Sequence, residues 1–145
     1  MTFSKSDFIE KSIPHRSPFL WLDRVVELSD QQIRAEKYLD PDLDIFRGHY
    51  PDYPLMPGVL LCEAVFQAGA LLIAQRAEAG MTTGVPVLAR IQGAKFKREV
   101  RPGESIDIEA TIKEKVGPAW FLRGRVRVGE KVAVQVSFSC MVKEG

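Results

Sequence analysis

PGVLLCEAVFQAGALLIAQRAEA, residues 57–79, decides the fold. Pro57 suits the first turn of a helix, where its missing N–H leaves nothing unpaired, and Gly80 can close the stretch, which holds no further proline. Between Val59 and Ala74 the side chains are apolar on nearly every face, so the spacing predicts a helix that the rest of the chain must wrap. Leu55 to Ala74 is long enough to cross a bilayer, but Glu63 and Gln67 would be costly in lipid. The expectation is a helix buried in a protein core, with no membrane span.

The wrapping is written on both sides of this stretch. Val85–Gln92 and Ala94–Val100 read as strand, one long strand bent at Gly93. Ile106, Ile108, Ala110 and Ile112 alternate with Asp107, Glu109 and Thr111. Leu122, Gly124, Val126 and Val128 alternate with three arginines, and Val132 through Cys140 repeat the pattern. Period-two alternation on successive strands predicts an antiparallel sheet with one dry face. Gly117-Pro118 and Gly129-Glu130 supply hairpin turns. Upstream, Ser4–Lys11 reads as a short helix stopped by Pro14. Phe19–Leu28 and Gln32–Leu39 read as paired strands about the turn Ser29–Gln31. Asp40–Pro57, with four prolines and the aromatics Phe46, Tyr50 and Tyr53, reads as a loop, and a loop of that length in a small domain is usually functional. The fold class is α+β: a central helix enclosed by a curved antiparallel sheet.

Composition narrows the function. The chain has 145 residues, one domain's worth, so residues 1–145 are read as a single unit. A net charge of +1 excludes a generally basic nucleic-acid binder. Two cysteines, Cys62 and Cys140, each in an apolar run, make neither a metal site nor a disulfide framework. The N-terminal residues carry no apolar core of a secretory signal, so a cytoplasmic protein is expected.

Three features do not fit a plain core. Glu63 interrupts the most apolar stretch of the chain, and a buried carboxylate is either neutral or partnered. Gln67, one turn on, can hydrogen-bond it. His49 lies in the proline-rich loop and could serve as a general base. Gly58, at the start of the long helix, offers a backbone N–H that a substrate oxyanion could approach. Each has an ordinary alternative: a solvent-facing or arginine-paired glutamate, a surface histidine, a plain helix start. His15, between Pro14 and Arg16, reads as structural.

Order and spacing give these residues weight together. GHYPDYPLMPGVL (48–60), followed by Glu63-Ala64 and Gln67-Ala68, resembles the active-site signature of the β-hydroxyacyl-(acyl carrier protein) dehydratases, GHFPxxPVMPGVL with a following E-A and Q. PHRSPFL (14–20) with Asp23-Arg24-Val25 resembles that family's PHRxPFLxxDRV block, and AKFKR (94–98) with Pro102-Gly103-Glu104 its later A-[KR]-F-[KR]-[RK] and PGD stretch. Three collinear blocks are far more specific than one short motif.

The resemblance implies a hotdog fold and a homodimer, often assembled further into a homohexamer as a trimer of dimers. It implies an active site at the dimer interface, with His49 as base from one subunit and Glu63 from the other. Gly58 would hold the thioester oxygen and Gln67 would support Glu63. Phe46, Tyr50, Pro57, Val59 and Phe66 would line the acyl tunnel. No cofactor and no metal is implied, because the phosphopantetheine arm arrives with the substrate. The partner is an acidic acyl carrier protein, and the basic run Arg90, Lys95, Lys97, Arg98 and Arg101, opposed only by Glu99, would receive it. Glu63 matches the dehydratase-only members, since those that also isomerise the double bond typically carry aspartate. The chain departs from the common form at Ser17, at Asp52-Tyr53 (more usually Gly-His), at the large Phe66, and at Val87, where some relatives have a gating aromatic. A hotdog thioesterase and a silent acyl- or carrier-binding subunit are the competing readings; the presence of both His49 and Glu63 favours the dehydratase.

Overall fold

The computed structural model describes residues 3–77 and 85–143. In chain order the elements are β1 (Phe3–Ser4), a wide helical turn (Lys5–Ile9) running into α1 (Glu10–Ser12), β2 (Arg24–Leu28), β3 (Gln32–Tyr38) and α2 (Ile45–Gly48). Then come α3 (Gly58–Ala77), β4 (Val85–Phe96), β5 (Ser105–Val116), β6 (Ala119–Val128) and β7 (Lys131–Lys143). All strand pairs are antiparallel, in the sheet order β1-β2-β3-β5-β6-β7-β4. The α+β expectation holds, and α3 packs against β3 through β7.

The alternation becomes a two-sided sheet. Ile106, Ile108, Ala110 and Ile112 on β5, Trp120, Leu122 and Val126 on β6, and Val134, Val136, Phe138 and Cys140 on β7 are all buried. The intervening positions form a charged outer face, where Glu109 accepts from Arg125 at 2.7 Å and lies 3.7 Å from Arg127. Leu61, Val65, Ala68, Leu71 and Leu72 of α3 fill the other side of the core. α3 is long and apolar enough to span a membrane, but it is mostly buried inside the fold and serves as a core helix. The expected closure at Gly80 lies outside the described residues.

Gly124 sets how closely helix and sheet approach. A Cβ there would collide with Cγ1 of Val65 on α3 and come 2.5 Å from the carbonyl oxygen of Glu109. The backbone carbonyl cannot swing aside. Gly124→Ala should therefore destabilise the fold by about 1–3 kcal/mol, as overpacking usually does, read as a lower urea midpoint at unchanged slope.

Three local expectations are corrected. The strand predicted over Phe19–Leu28 begins only at Arg24. Phe19–Trp21 spends its backbone elsewhere: the Trp21 N–H donates to Gln67 Oε1 (2.8 Å) and the Phe19 carbonyl accepts from Gln67 Nε2 (2.8 Å), so the first bond to β3 is that of the Asp23 N–H to the Glu36 carbonyl (2.8 Å). The loop Asp40–Pro57 contains the helical turn α2, anchored by buried Phe46. The strand expected to reach Val100 ends at Phe96, because the Lys97 N–H turns to the Ala133 carbonyl (2.7 Å) and the Val100 carbonyl accepts from the Met56 N–H (2.8 Å). β4 is one strand, as expected, with ladder irregularities at Leu88/Arg90 and Ile91/Gly93. Gly117 and Gly129 take positive φ of 59° and 60° at the two hairpin turns.

Both cysteines are buried free thiols. Burial pushes the Cys140 thiol from the ordinary 9.0 up to about 11, and raises that of Cys62 in the same way. The folded state thus holds its proton where the unfolded chain has lost it, so the sign is a loss of stability as pH rises from 9.0 to about 11. Urea midpoints should fall across that window, and less steeply in Cys140→Ala.

Candidate active site

His49 follows α2 and opens a tight hairpin that returns to α3. The Leu55 N–H donates to the His49 carbonyl (2.7 Å), and Tyr50 and Tyr53 exchange both backbone bonds at 3.1 Å. His49 Nδ1 lies 3.0 Å from the Leu55 carbonyl oxygen. A carbonyl can only accept, so Nδ1 carries the hydrogen, and the tautomer this contact selects has its lone pair at Nε2. That is the tautomer a base working through Nε2 requires. Tyr50 stacks on the imidazole, with ring centres 4.2 Å apart, and the peptide between the two is cis.

Glu63 lies in the second turn of α3 and is partnered, as one of its two sequence readings required. Gln67 Nε2 donates to Glu63 Oε2 at 3.1 Å. Gln67 has no exposed surface, and its amide is fully committed between Glu63, Phe19 and Trp21. It therefore fixes the carboxylate to the PHRSPFL segment. The carboxylate is 23% exposed, and His15 Nε2 stands 3.8 Å from its Oε2. His15 Nδ1 is buried with no hydrogen-bond partner among the described residues. The structural reading of His15 thus missed its place beside Glu63; its membership in the PHR block was the available signal.

Gly58 begins α3, where backbone donors have no intrahelical acceptor. Phe96 packs on it so closely that a Cβ would come within 2.6 Å of the ring. Gly58→Ala must displace that exposed ring, so its expected effect is on turnover: at least a tenfold loss with a small change in unfolding midpoint.

Of the expected tunnel residues, Phe46 and Pro57 are buried and Phe66 packs edge-on against Phe138 at 4.8 Å. Tyr50 is half exposed, and Val59 is 70% exposed. Val59, Glu63 and Phe66 follow one another at helical spacing on the less buried side of α3. Within one chain His49 and Glu63 share neither a hydrogen bond nor an ion pair among the described residues; each has other partners.

The basic residues Arg90, Lys95, Lys97, Arg98 and Arg101 are all exposed. Lys95 lines a depression of about 540 Å³ on the outer face of the sheet with Lys113, Arg123 and Gln135, and this depression includes neither His49 nor Glu63. Arg101 is already engaged, 3.1 Å from Glu99. Among the described residues no cluster of three or more His, Cys, Asp or Glu could hold a metal.

The model of the FabA-like domain family matches residues 13–137, which hold His15, His49, Gly58, Glu63 and Gln67. The chain belongs to the FabA-like family. Its relatives in that family include the 3-hydroxyacyl-[acyl-carrier-protein] dehydratase FabZ of Petrotoga mobilis, 36% identical over 136 residues covering 94% of this chain and 96% of the relative. The FabZ of Koribacter versatilis is 38% identical, covering 92% of this chain and 86% of the relative. Among solved structures, the dehydratase heterocomplex ApeI:P from Xenorhabdus doucetiae superposes with a TM-score of 0.76 at 16% identity, over 94% of this chain and 91% of that one. The resemblance drawn from the three sequence blocks is borne out, and the hotdog dehydratase fold with it.

Proposed function

We propose that this FabA-like chain removes water from a 3-hydroxyacyl thioester on an acyl carrier protein, giving the trans-2-enoyl thioester. The observation that carries the reading is the 3.0 Å contact of His49 Nδ1 with the Leu55 carbonyl, which leaves Nε2 as a base beside the start of α3. The names of the FabZ relatives support the substrate class.

The chemistry is balanced by the groups on this chain. His49 Nε2 takes the C2 proton, and charge moves onto the thioester oxygen. The Gly58 N–H, at the positive end of α3, stabilises that oxygen; one such donor is typically worth ~2.7–4 kcal/mol. The C3–O bond then breaks, and the departing hydroxyl leaves as water either with the proton that His49 took or with one from protonated Glu63, to which His49 then returns its own. No proton is consumed overall. Gln67 holds the Glu63 carboxylate in place throughout, and no cofactor enters any step.

The site is completed by a second copy. Among the described residues β4 is an edge strand paired only with β7, and it exposes Val87, Leu88, Ile91 and Phe96. A long edge with exposed apolar side chains is normally covered. Val59 and Glu63 project from the less buried side of α3 and would face His49 of the partner subunit across the same interface. Arg90, Lys95, Lys97 and Arg98, on β4 or just beyond it, would receive the acidic carrier protein. Buried free thiols suit a reducing cytoplasm.

The direct test is hydration of crotonyl-acyl carrier protein, followed by loss of the enoyl absorbance, with thiol release read in the same tube. Loss of absorbance without thiol is the expected result. Thiol release in its place would make the chain a thioesterase.

A further inference from the structure

The hairpin that carries His49 is fastened to the segment after β4 at two points. At its base, the Met56 N–H donates to the Val100 carbonyl at 2.8 Å. At its tip, the Tyr53 hydroxyl donates to Glu99 Oε2 at 2.6 Å and accepts from Arg101 Nη2 at 2.7 Å. The same Nη2 reaches Glu99 Oε2 at 3.1 Å, closing a triangle, and the guanidinium lies 4.9 Å from the centre of the Tyr53 ring. The Arg101 backbone N–H is itself held by Glu104 Oε1 at 2.7 Å. All three edges are charge-assisted, and the two made by the Tyr53 hydroxyl are short.

These contacts divide the work of holding His49. The Leu55 carbonyl and the Tyr50 ring orient the imidazole within the hairpin, but they move with it. Where the hairpin stands relative to Gly58 is set by its attachments to residues 99–101. With the tip released, it can pivot about the Met56–Val100 bond, and a displacement of about 1 Å at a reacting group costs on the order of 10²-fold in rate.

We propose that Tyr53 is a positioning residue for His49, with Glu99 and Arg101 as its anchors, so that Arg101 acts as a latch and not as a carrier-docking residue. The proposal rests on His49 being the base of the reading above. It concerns Tyr53, where this chain departs from the common Gly-His of the signature.

The test compares Tyr53→Phe, which keeps the ring and loses both hydroxyl bonds, with Arg101→Gln and with a docking control, Lys97→Ala/Arg98→Ala. Each is assayed on a 3-hydroxyacyl thioester of the carrier protein and on the same acyl group carried by pantetheine alone. Tyr53→Phe and Arg101→Gln should each lower kcat roughly ten- to a hundredfold with KM nearly unchanged, by the same factor on both substrates. The pair combined should be little worse than either alone, because both break one triangle. The docking control should lose kcat/KM on the carrier-bound substrate only. A readout free of turnover is the imidazole ¹⁵N–¹H correlation of His49, whose position should shift in Tyr53→Phe as the ring's surroundings outside the hairpin change, while the Nδ1 hydrogen stays on the Leu55 carbonyl. Unchanged kcat or an unchanged His49 signal in Tyr53→Phe overturns the proposal, as does a loss confined to the carrier-bound substrate. If the parent protein turns over neither thioester, the dehydratase reading fails, and the His49 signal still decides the latch.

Discussion

His49→Ala should lower the dehydration rate by about 10²–10⁴-fold, the usual worth of a positioned general base. The fold should survive, because the ring is only part-buried and its hydrogen bond goes to the carbonyl of a loop residue, Leu55. His49→Asn sharpens the test. Its amide can still donate to the Leu55 carbonyl, but it offers no lone pair of comparable basicity, so it should be as inactive as the alanine variant. Activity retained in His49→Asn would mean that the histidine only shapes the loop. Steady-state rates together with urea midpoints separate the two roles.

Glu63→Ala should cost a similar 10²–10⁴-fold, and its more telling use is in a mixture. If His49 of one subunit serves Glu63 of the other, a dimer formed from one His49→Ala and one Glu63→Ala chain carries one doubly damaged site and one intact site. Random pairing of the two inactive variants then restores about a quarter of the parent activity, as two-fold symmetry requires. A site contained within one chain would give no recovery on mixing. Glu63→Gln isolates the proton from the geometry: its side-chain oxygen can still accept from Gln67 Nε2, now at 3.1 Å, but the group cannot donate an acidic proton. Turnover at the parent rate in that variant would leave proton delivery to His49.

The basic segment reads differently in sequence and in space. Five cations between positions 90 and 101 look like one patch along the chain. In the structure Lys95 opens onto the outer face of the sheet, while Arg101 is bound by Glu99 and Tyr53 near the His49 hairpin. Linear proximity says nothing about which face a strand residue takes or what already holds it, because side chains alternate along a strand and the ladder ends at Phe96.

The sequence alone determined the central helix, the alternating strands and the candidate pair His49 and Glu63, because periodicity, turn residues and motif spacing are local properties of the chain. It also pointed to Gln67 as the partner of Glu63, since a four-residue separation on a helix is a contact in itself. Three features were decided by the tertiary structure. The Phe19–Trp21 segment left its expected strand because a side chain from a distant helix satisfied its backbone. His15 came to stand 3.8 Å from Glu63, although 48 positions separate them in the chain. Tyr53 met Glu99 and Arg101 at the far end of β4. Each of these is a contact between elements far apart in the chain, formed only when α3 and the sheet pack together, and neither periodicity nor spacing encodes its geometry.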